Sequence, residues 1–212
     1  MACLAIAVAA CADQQHAASG GEERNDTTNS VNTELPDPQS LSWQSTVGQF
    51  ESFEVQVPAE WLVEHERLPG GFMDRYILMK GKARIVQFAA RCAVGASVAD
   101  MIWQDSQIVN HLDGSFGVTG TRDIPVGGAM GKMLDYKLSF GGIPAEYRAV
   151  YFESPPCGWR LLLQAFGDGV KERFAPAFEH FVDTFVPRAF EPPFPDHDPY
   201  VPTRSAGGGT AP

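Results

Sequence analysis

The cysteines are the residues of this 212-residue chain with the most definite chemistry, and two of its four fall beyond the N-terminal stretch. Cys92 closes the strand-like run at 84–92, and Cys157 sits in the turn SPPCG before another such run. No CxxC and no histidine at ligand spacing accompanies them, so a metal site is disfavoured. A disulfide and a pair of buried free thiols are the two readings left open. If bonded, the pair closes a long loop, adds about 2–4 kcal/mol of stability, and implies an oxidising compartment. The histidines are scattered: His16 and His197 in polar tails, His65, His111 and His180 through the middle. Glu64-His65-Glu66 and Asp196-His197-Asp198 put carboxylates beside an imidazole, but both read as solvated sequence rather than metal ligands. Ser106, Ser115, Ser139 and Ser154 lack a GxSxG setting or any other nucleophile signature. The glycine-rich PVGGAMG at 125–131 is not followed by the Lys-Ser/Thr of a phosphate loop, so it reads as a mobile loop or bulge between strands. Trp43, Trp61, Trp103 and Trp159, with Tyr76, Tyr147 and Tyr151, are the raw material of an aromatic pocket, yet at strand and helix positions they are expected in the core. No enzyme, cofactor or metal site is expected.

Cys11 carries a different chemistry. The opening MACLAIAVAAC places ten uncharged residues before it, and Val8-Ala9-Ala10-Cys11 resembles the bacterial lipobox, whose small residues let a signal peptidase approach the backbone. The resemblance implies that the Cys11 thiol carries diacylglycerol and that residues 1–10 are the remnant of a signal peptide, in which Cys3 lies. An apolar stretch this short does not span a bilayer as a mature helix. The competing reading is an alanine-rich helix with an incidental cysteine. Residues 11–40 are rich in Ala, Ser, Gly, Asn, Thr and acids, too poor in large apolar groups to offset the entropy of ordering. They read as a flexible acidic tether. Ala12 in place of Asp favours, by resemblance, the outer membrane over the inner.

Charge sharpens this division. The formal net charge is -10, of which residues 12–40 contribute -5, residues 41–190 -3 and residues 191–212 -2. An acidic chain does not select nucleic acid or an anionic lipid surface. Half of the excess belongs to the tether, and the sequence with 44% hydrophobic residues supports one core, expected at 41–189. Residues 190–212, Pro-rich and then Gly-rich, need no element.

Within the expected domain, FEVQV at 53–57 alternates before Pro58 and EWLV at 60–63 resumes, which predicts a first hairpin. Residues 76–79 and 84–92 flank Lys80-Gly81-Lys82 as a second. Ser97 then caps a helix carrying Val98, Met101, Ile102, Val109 and Leu112 at helical spacing, ended by Asp113-Gly114. Leu134, Tyr136, Leu138 and Phe140 return to period two, and with the runs at 146–153 and 159–166 they predict a three-stranded meander. Leu161, Leu162 and Leu163 are consecutive, as in a central strand buried on both faces. The last element is an amphipathic helix at 170–185, with Phe174, Phe178, Phe181, Val182 and Phe185 on its stripe and Lys171, Glu172, Glu179 and Asp183 off it.

The order hairpin, hairpin, helix, meander, helix predicts an α+β fold in which a mostly antiparallel sheet of about six strands packs with two main helices. Here the chain resembles the PsbP-like proteins and their Mog-type and DcrB-type relatives. The resemblance covers 50–185 and rests on FESFEVQVPAEW, on the glycine-punctuated meander and on the closing VKERFAPAFEHFVDTF. It implies an α/β/α sandwich, and none of these motifs is catalytic. The sequence thus predicts a lipid-anchored protein of the bacterial envelope, facing the periplasm, whose domain binds or assembles with an envelope partner. The alternative is a small-molecule-binding or hydrolytic protein that uses a pocket between sheet and helix.

Overall fold

The computed structural model describes residues 35–111, 117–140 and 143–192. Along these the chain forms β1 (Trp43–Val47), β2 (Phe53–Pro58), β3 (Leu62–Leu68), β4 (Gly71–Lys80), β5 (Ala83–Val94), α1 (Val98–His111), β6 (Gly117–Val126), β7 (Ala129–Phe140), β8 (Ile143–Ser154), β9 (Cys157–Phe166), α2 (Val170–Asp183) and the short β10 (Val186–Pro187). Seven strands make one antiparallel sheet in the order β3-β4-β5-β9-β8-β7-β6, and β1-β2-β10 make a second, smaller one. The expected class holds: an antiparallel sheet packed with two helices.

The triple leucine sits on β9, the fourth of the seven strands. Leu161 and Leu163 enter the core on one face and Leu162 the core on the other. Over the first face lie α2, through Phe174, Phe178, Phe181 and Val182, and the small sheet, through Phe53, Val55 and Val57. Their rings interlock with Phe72, Phe88 and Trp159; Phe53 stacks on Phe185 at 4.8 Å. Over the second face lies α1, whose Met101 joins Leu134, Tyr136, Tyr147, Ala149, Tyr151 and Leu162. Ser97 caps α1 as its position predicts: its Oγ accepts from the Asp100 amide at 3.1 Å and donates to the Asp100 carboxylate at 2.7 Å, which satisfies a helix-end donor. Asp113-Gly114, the expected stop, lies outside the described residues.

Three expectations are corrected. The first predicted hairpin does not form: β2 pairs with β1 and β10, while β3 crosses to the edge of the large sheet. Trp61 explains the separation, because its ring is buried against Phe88 at 4.7 Å and Phe174 at 6.1 Å, so the chain dips into the core between the two strands. The segment 125–131 does lie between strands but as a tight turn rather than a mobile loop: it ends β6 and begins β7, and only Gly127 and Gly128 turn, at φ 56° and 81°, the positive values that short hairpins need. The meander therefore has four strands. Lys171 is buried, at 5% exposure, rather than on the solvent side of α2. It precedes Phe174 by three residues and so shares its face, and its ammonium reaches back to Glu172 at 3.4 Å.

Cys92 and Cys157 are bonded, with Cα atoms 5.3 Å apart. They lie on neighbouring strands β5 and β9, beside the register pairs Cys92↔Trp159 and Val94↔Cys157, and both are buried. Of the two readings open from sequence, the structure contains the disulfide.

Candidate functional site

Alternation along the strands decides where each charged residue can act. On the second face, Arg91 of β5, Arg160 of β9 and Tyr151 of β8 stand directly opposite one another in a single row. Above them α1 lowers Asp105, which is 4% exposed. Its carboxylate accepts from Arg160 Nη1 at 2.5 and 2.6 Å and from the Tyr151 hydroxyl at 2.7 Å. Arg91 is further off, at 4.0 Å from Asp105, with the Gln104 amide oxygen at 3.4 Å. One carboxylate thus serves two guanidiniums in a dry setting. Burial, and then repulsion from Arg160, lowers the Arg91 pKa to about 10. Burial also pushes the Tyr151 phenol well above its usual value, reinforced by Tyr136 and Asp105, so Tyr151 stays a donor. This cluster has the chemistry of a clamp.

The first face holds two further clusters. His65 of β3 stands opposite Asp74 of β4, and its Nδ1 lies 2.7 Å from the carboxylate. Asp74 is fully buried and also accepts from the Gln49 amide at 3.0 Å and from Gln49 Nε2 at 2.6 Å. The turn that brings Gln49 there holds Phe50 and Glu51 at φ 58° and 55°, a conformation that costs about 1–3 kcal/mol for residues other than glycine. The arrangement orients an imidazole as a base would be oriented. Among the described residues no hydroxyl or thiol hydrogen-bonds that ring, and the nearby Ser52 hydroxyl donates to the Gln49 carbonyl.

The third cluster surrounds a cleft of about 220 Å³ lined by Gly120, Thr121, Arg122, Met133, Asp135 and Arg148. Arg148 of β8 faces Asp135 of β7 in register and grips it with two parallel bonds, Nε to Oδ1 at 2.8 Å and Nη2 to Oδ2 at 3.1 Å. Glu179, from α2, lies 2.9 Å from Arg122 and 3.4 Å from Arg148. Burial acts to raise the Asp135 pKa, but the Arg148 hydrogen bonds and the charges of Arg148, Lys171 and Arg122 outweigh it and hold the carboxyl below its ordinary range. Here charged groups of β6, β7 and β8 border open space, with Glu179 of α2 beside them.

The residues singled out from sequence fare unevenly. Cys92 and Cys157 come together; Cys11, like Asp196-His197-Asp198, lies outside the described residues. Glu64-His65-Glu66 does not converge, because strand alternation sends His65 to Asp74 on the first face and both glutamates to the second. There Glu64 pairs with Arg84 and Arg75, and Glu66 with Arg75. His180 bonds the Gln56 side chain at 2.7 Å beneath Trp43. Trp103 is exposed, not in the core. Among the described residues no group of three or more His, Cys, Asp or Glu is placed to hold a metal ion. Asp105, Arg160, Asp74, Asp135 and Arg148 were not singled out. In sequence each is one charge in an ordinary element, and only strand register and, for Asp105, the packing of α1 on the sheet join them.

No family model matches the chain, and no curated protein matches it significantly. Solved structures do. Cyanobacterial PsbP (CyanoP) from Synechocystis sp. PCC 6803 superposes with a TM-score of 0.51 at 13% identity, covering 70% of this chain and 94% of that one. A Pseudomonas aeruginosa protein of unknown function gives 0.45 at 20% identity over 69% and 98% of the two chains. LpqN of Mycobacterium tuberculosis, involved in cell envelope biogenesis, gives 0.37 at 14% identity over 70% and 92%. The chain has the PsbP-like fold; at these identities the likeness extends to fold alone.

Proposed function

We propose that this chain is an exported binding module of the bacterial cell envelope, tethered by lipid on Cys11 to the outer membrane and facing the periplasm, where it contacts an envelope protein rather than turning over a substrate. The observation that carries the reading is the Cys92–Cys157 bond within the core, because such bonds persist in oxidising compartments and are rare in the cytosol. The tether is independent support: the lipobox-like VAAC is followed by a polar acidic stretch with the composition of a flexible spacer. No helix among the described residues is long and apolar enough to cross a membrane. Contact rather than catalysis is favoured because the buried carboxylates Asp74 and Asp105 and the gripped Asp135 already face hydrogen-bond partners.

Acyl labelling in cells tests the anchor: the wild type incorporates an alkyne fatty acid and partitions with the outer membrane, and Cys11→Ala does neither. Equal label in both, or a soluble wild-type protein, rejects the anchor. Mass measurement after thiol blocking, with and without reductant, tests the compartment. An unshifted mass means that the protein lives among reduced thiols.

The alternative, ligand binding or hydrolysis between sheet and helix, has a place in the Arg148–Asp135 cleft. Turnover of any compound by the purified protein, lost on Arg148→Met, would replace the present reading.

A further inference from the structure

The large sheet ends in two unlike edges. On one side, β3 reads LVEHERL and shows Glu64, His65, Glu66 and Arg67 along its length, the charged dress that natural sheets use to repel a further strand. On the other, β6 reads GVTGTRDIPV, ten residues with one cation and one anion side by side. Among the described residues its outer side meets no other strand, and its residues 118–123 are exposed.

Gly120 of this second edge lines the cleft. Gly120, Asp135 and Arg148 occupy one register row across β6, β7 and β8. A side chain at position 120 would meet nothing nearer than the Asp135 carboxylate at 3.8 Å, so the glycine leaves a gap from the sheet edge to the charged groups behind it. A register shift between Val118 and Gly120 sits at the same point, and such bulges re-aim edge strands next to binding sites.

Charge says what fits. Arg122 carries five N–H donors, of which two are engaged. Nη2 donates to Glu179 at 2.9 Å, and Nε donates to the thioether of Met133 at 3.1 Å, a weak acceptor. Arg122 and Glu179 are 56% and 44% exposed, so an incoming group can replace this pairing at small cost. Lys171, which acts on Asp135 from α2, is itself met by Glu172 at 3.4 Å, so the cationic donors left for an incoming group are those of Arg122.

We infer that β6 is a docking edge for an extended acidic peptide segment. The segment pairs backbone to backbone along β6 and passes an Asp or Glu side chain over Gly120 into the cleft. There the carboxylate takes the idle donors of Arg122 and competes with Glu179 for Arg148. The inference rests on the reading of the domain as a binding module and gives the chemistry of its partner.

The test titrates full-length protein, in detergent, against fluorescein-labelled nonapeptides of alternating threonine and valine that differ only at a central Glu, Gln or Lys. The Glu peptide binds about fivefold tighter than the Gln peptide, as a partly exposed ion pair allows, and tighter still than the Lys peptide. Alternate N-methylation of its backbone removes binding. Gly120→Val fills the gap without changing a charge, and Arg122→Gln removes the donors. Each lowers the Glu peptide to the affinity of the Gln peptide, while circular dichroism shows either variant folded. Absence of binding, equal affinity for the three peptides, or indifference to both substitutions overturns the docking edge. Cys11 labelling that persists alongside such a result leaves the anchor standing; peptide binding without label removes the anchor alone.

Discussion

Helix α2 meets the first face of the large sheet with Phe174, Phe178, Phe181 and Val182, all fully buried, whereas α1 meets the second face with Met101 and a carboxylate, Asp105. The first contact is non-directional and grows with area, at roughly 25 cal/mol per Å² of apolar surface removed from water. It tolerates small slips and contributes to the stability of the whole domain. The second depends on geometry, since Asp105 must sit within 2.7 Å of both Arg160 and Tyr151, and the desolvation of the charges cancels much of their attraction. Two helices of equal length, 14 residues each, are thereby given unequal roles: α2 helps to make the core, and α1 is a clasped layer upon it. Such a layer is expected to open as its own cooperative unit.

The largest way to break the contrast is on the aromatic side. Phe181→Ala leaves a cavity beneath α2 and lowers global stability by about 3–5 kcal/mol, read as a displaced midpoint in urea with all elements unfolding together. A loss below about 1 kcal/mol would deny α2 its place in the core. Next is Asp105→Ala, which strands two guanidiniums in a dry site and costs about 3 kcal/mol. Its signature is local, because amide exchange should accelerate in α1 well before α2. The combined change Asp105→Leu with Arg160→Met sharpens the point, as an apolar replacement of a buried pair is often neutral or stabilising, so it should regain most of the loss. If the double variant is no more stable than Asp105→Ala, the clamp supplies more than orientation.

Acidity separates the faces at smaller scale. The folded-state pKa of Asp135 lies below the ordinary 3.8 of the unfolded chain. Its contribution is therefore complete above about 3.8 and is lost as pH falls through the lower folded value. Asp135→Asn should cost about 1 kcal/mol at neutral pH and flatten the fall of Tm below that point; parallel acid curves for the two proteins contradict this assignment. Narrowest in reach is Ser97→Ala, which removes the cap of α1 for about 1 kcal/mol. Its effect should be confined to exchange rates in the first turn of that helix.

Much of the fold was legible because its strongest signals are apolar. The Phe stripe of α2 and the triple leucine of β9 declared both a buried helix face and a strand covered on two sides. Weak strands were not legible. WQSTV of β1 buries none of its residues, and the opening GVTGT of β6 offers no alternation of large apolar groups. β2 and β3 resembled a hairpin because their patterns adjoin, and only the burial of Trp61 separates them. Lys171 shows that charge does not mean exposure, since its three-residue spacing from Phe174 places it inward. The clusters were the least legible. Asp105 and Arg160 are 55 positions apart, and no local pattern reports which strand will lie beside which. Where sequence did speak, at Cys92 and Cys157, it was because two thiols in strand-like runs can be judged as a pair without knowing the topology.

That bond has a further consequence. It joins positions 65 residues apart, and α1, β6, β7 and β8 all lie between its two ends. The polypeptide is thus a ring with two arms, and a protease that cuts once anywhere inside the ring releases nothing. The nicked molecule would migrate as one species until a reductant is added. In a compartment full of proteases, a single wound there would leave every strand still covalently moored to its neighbours.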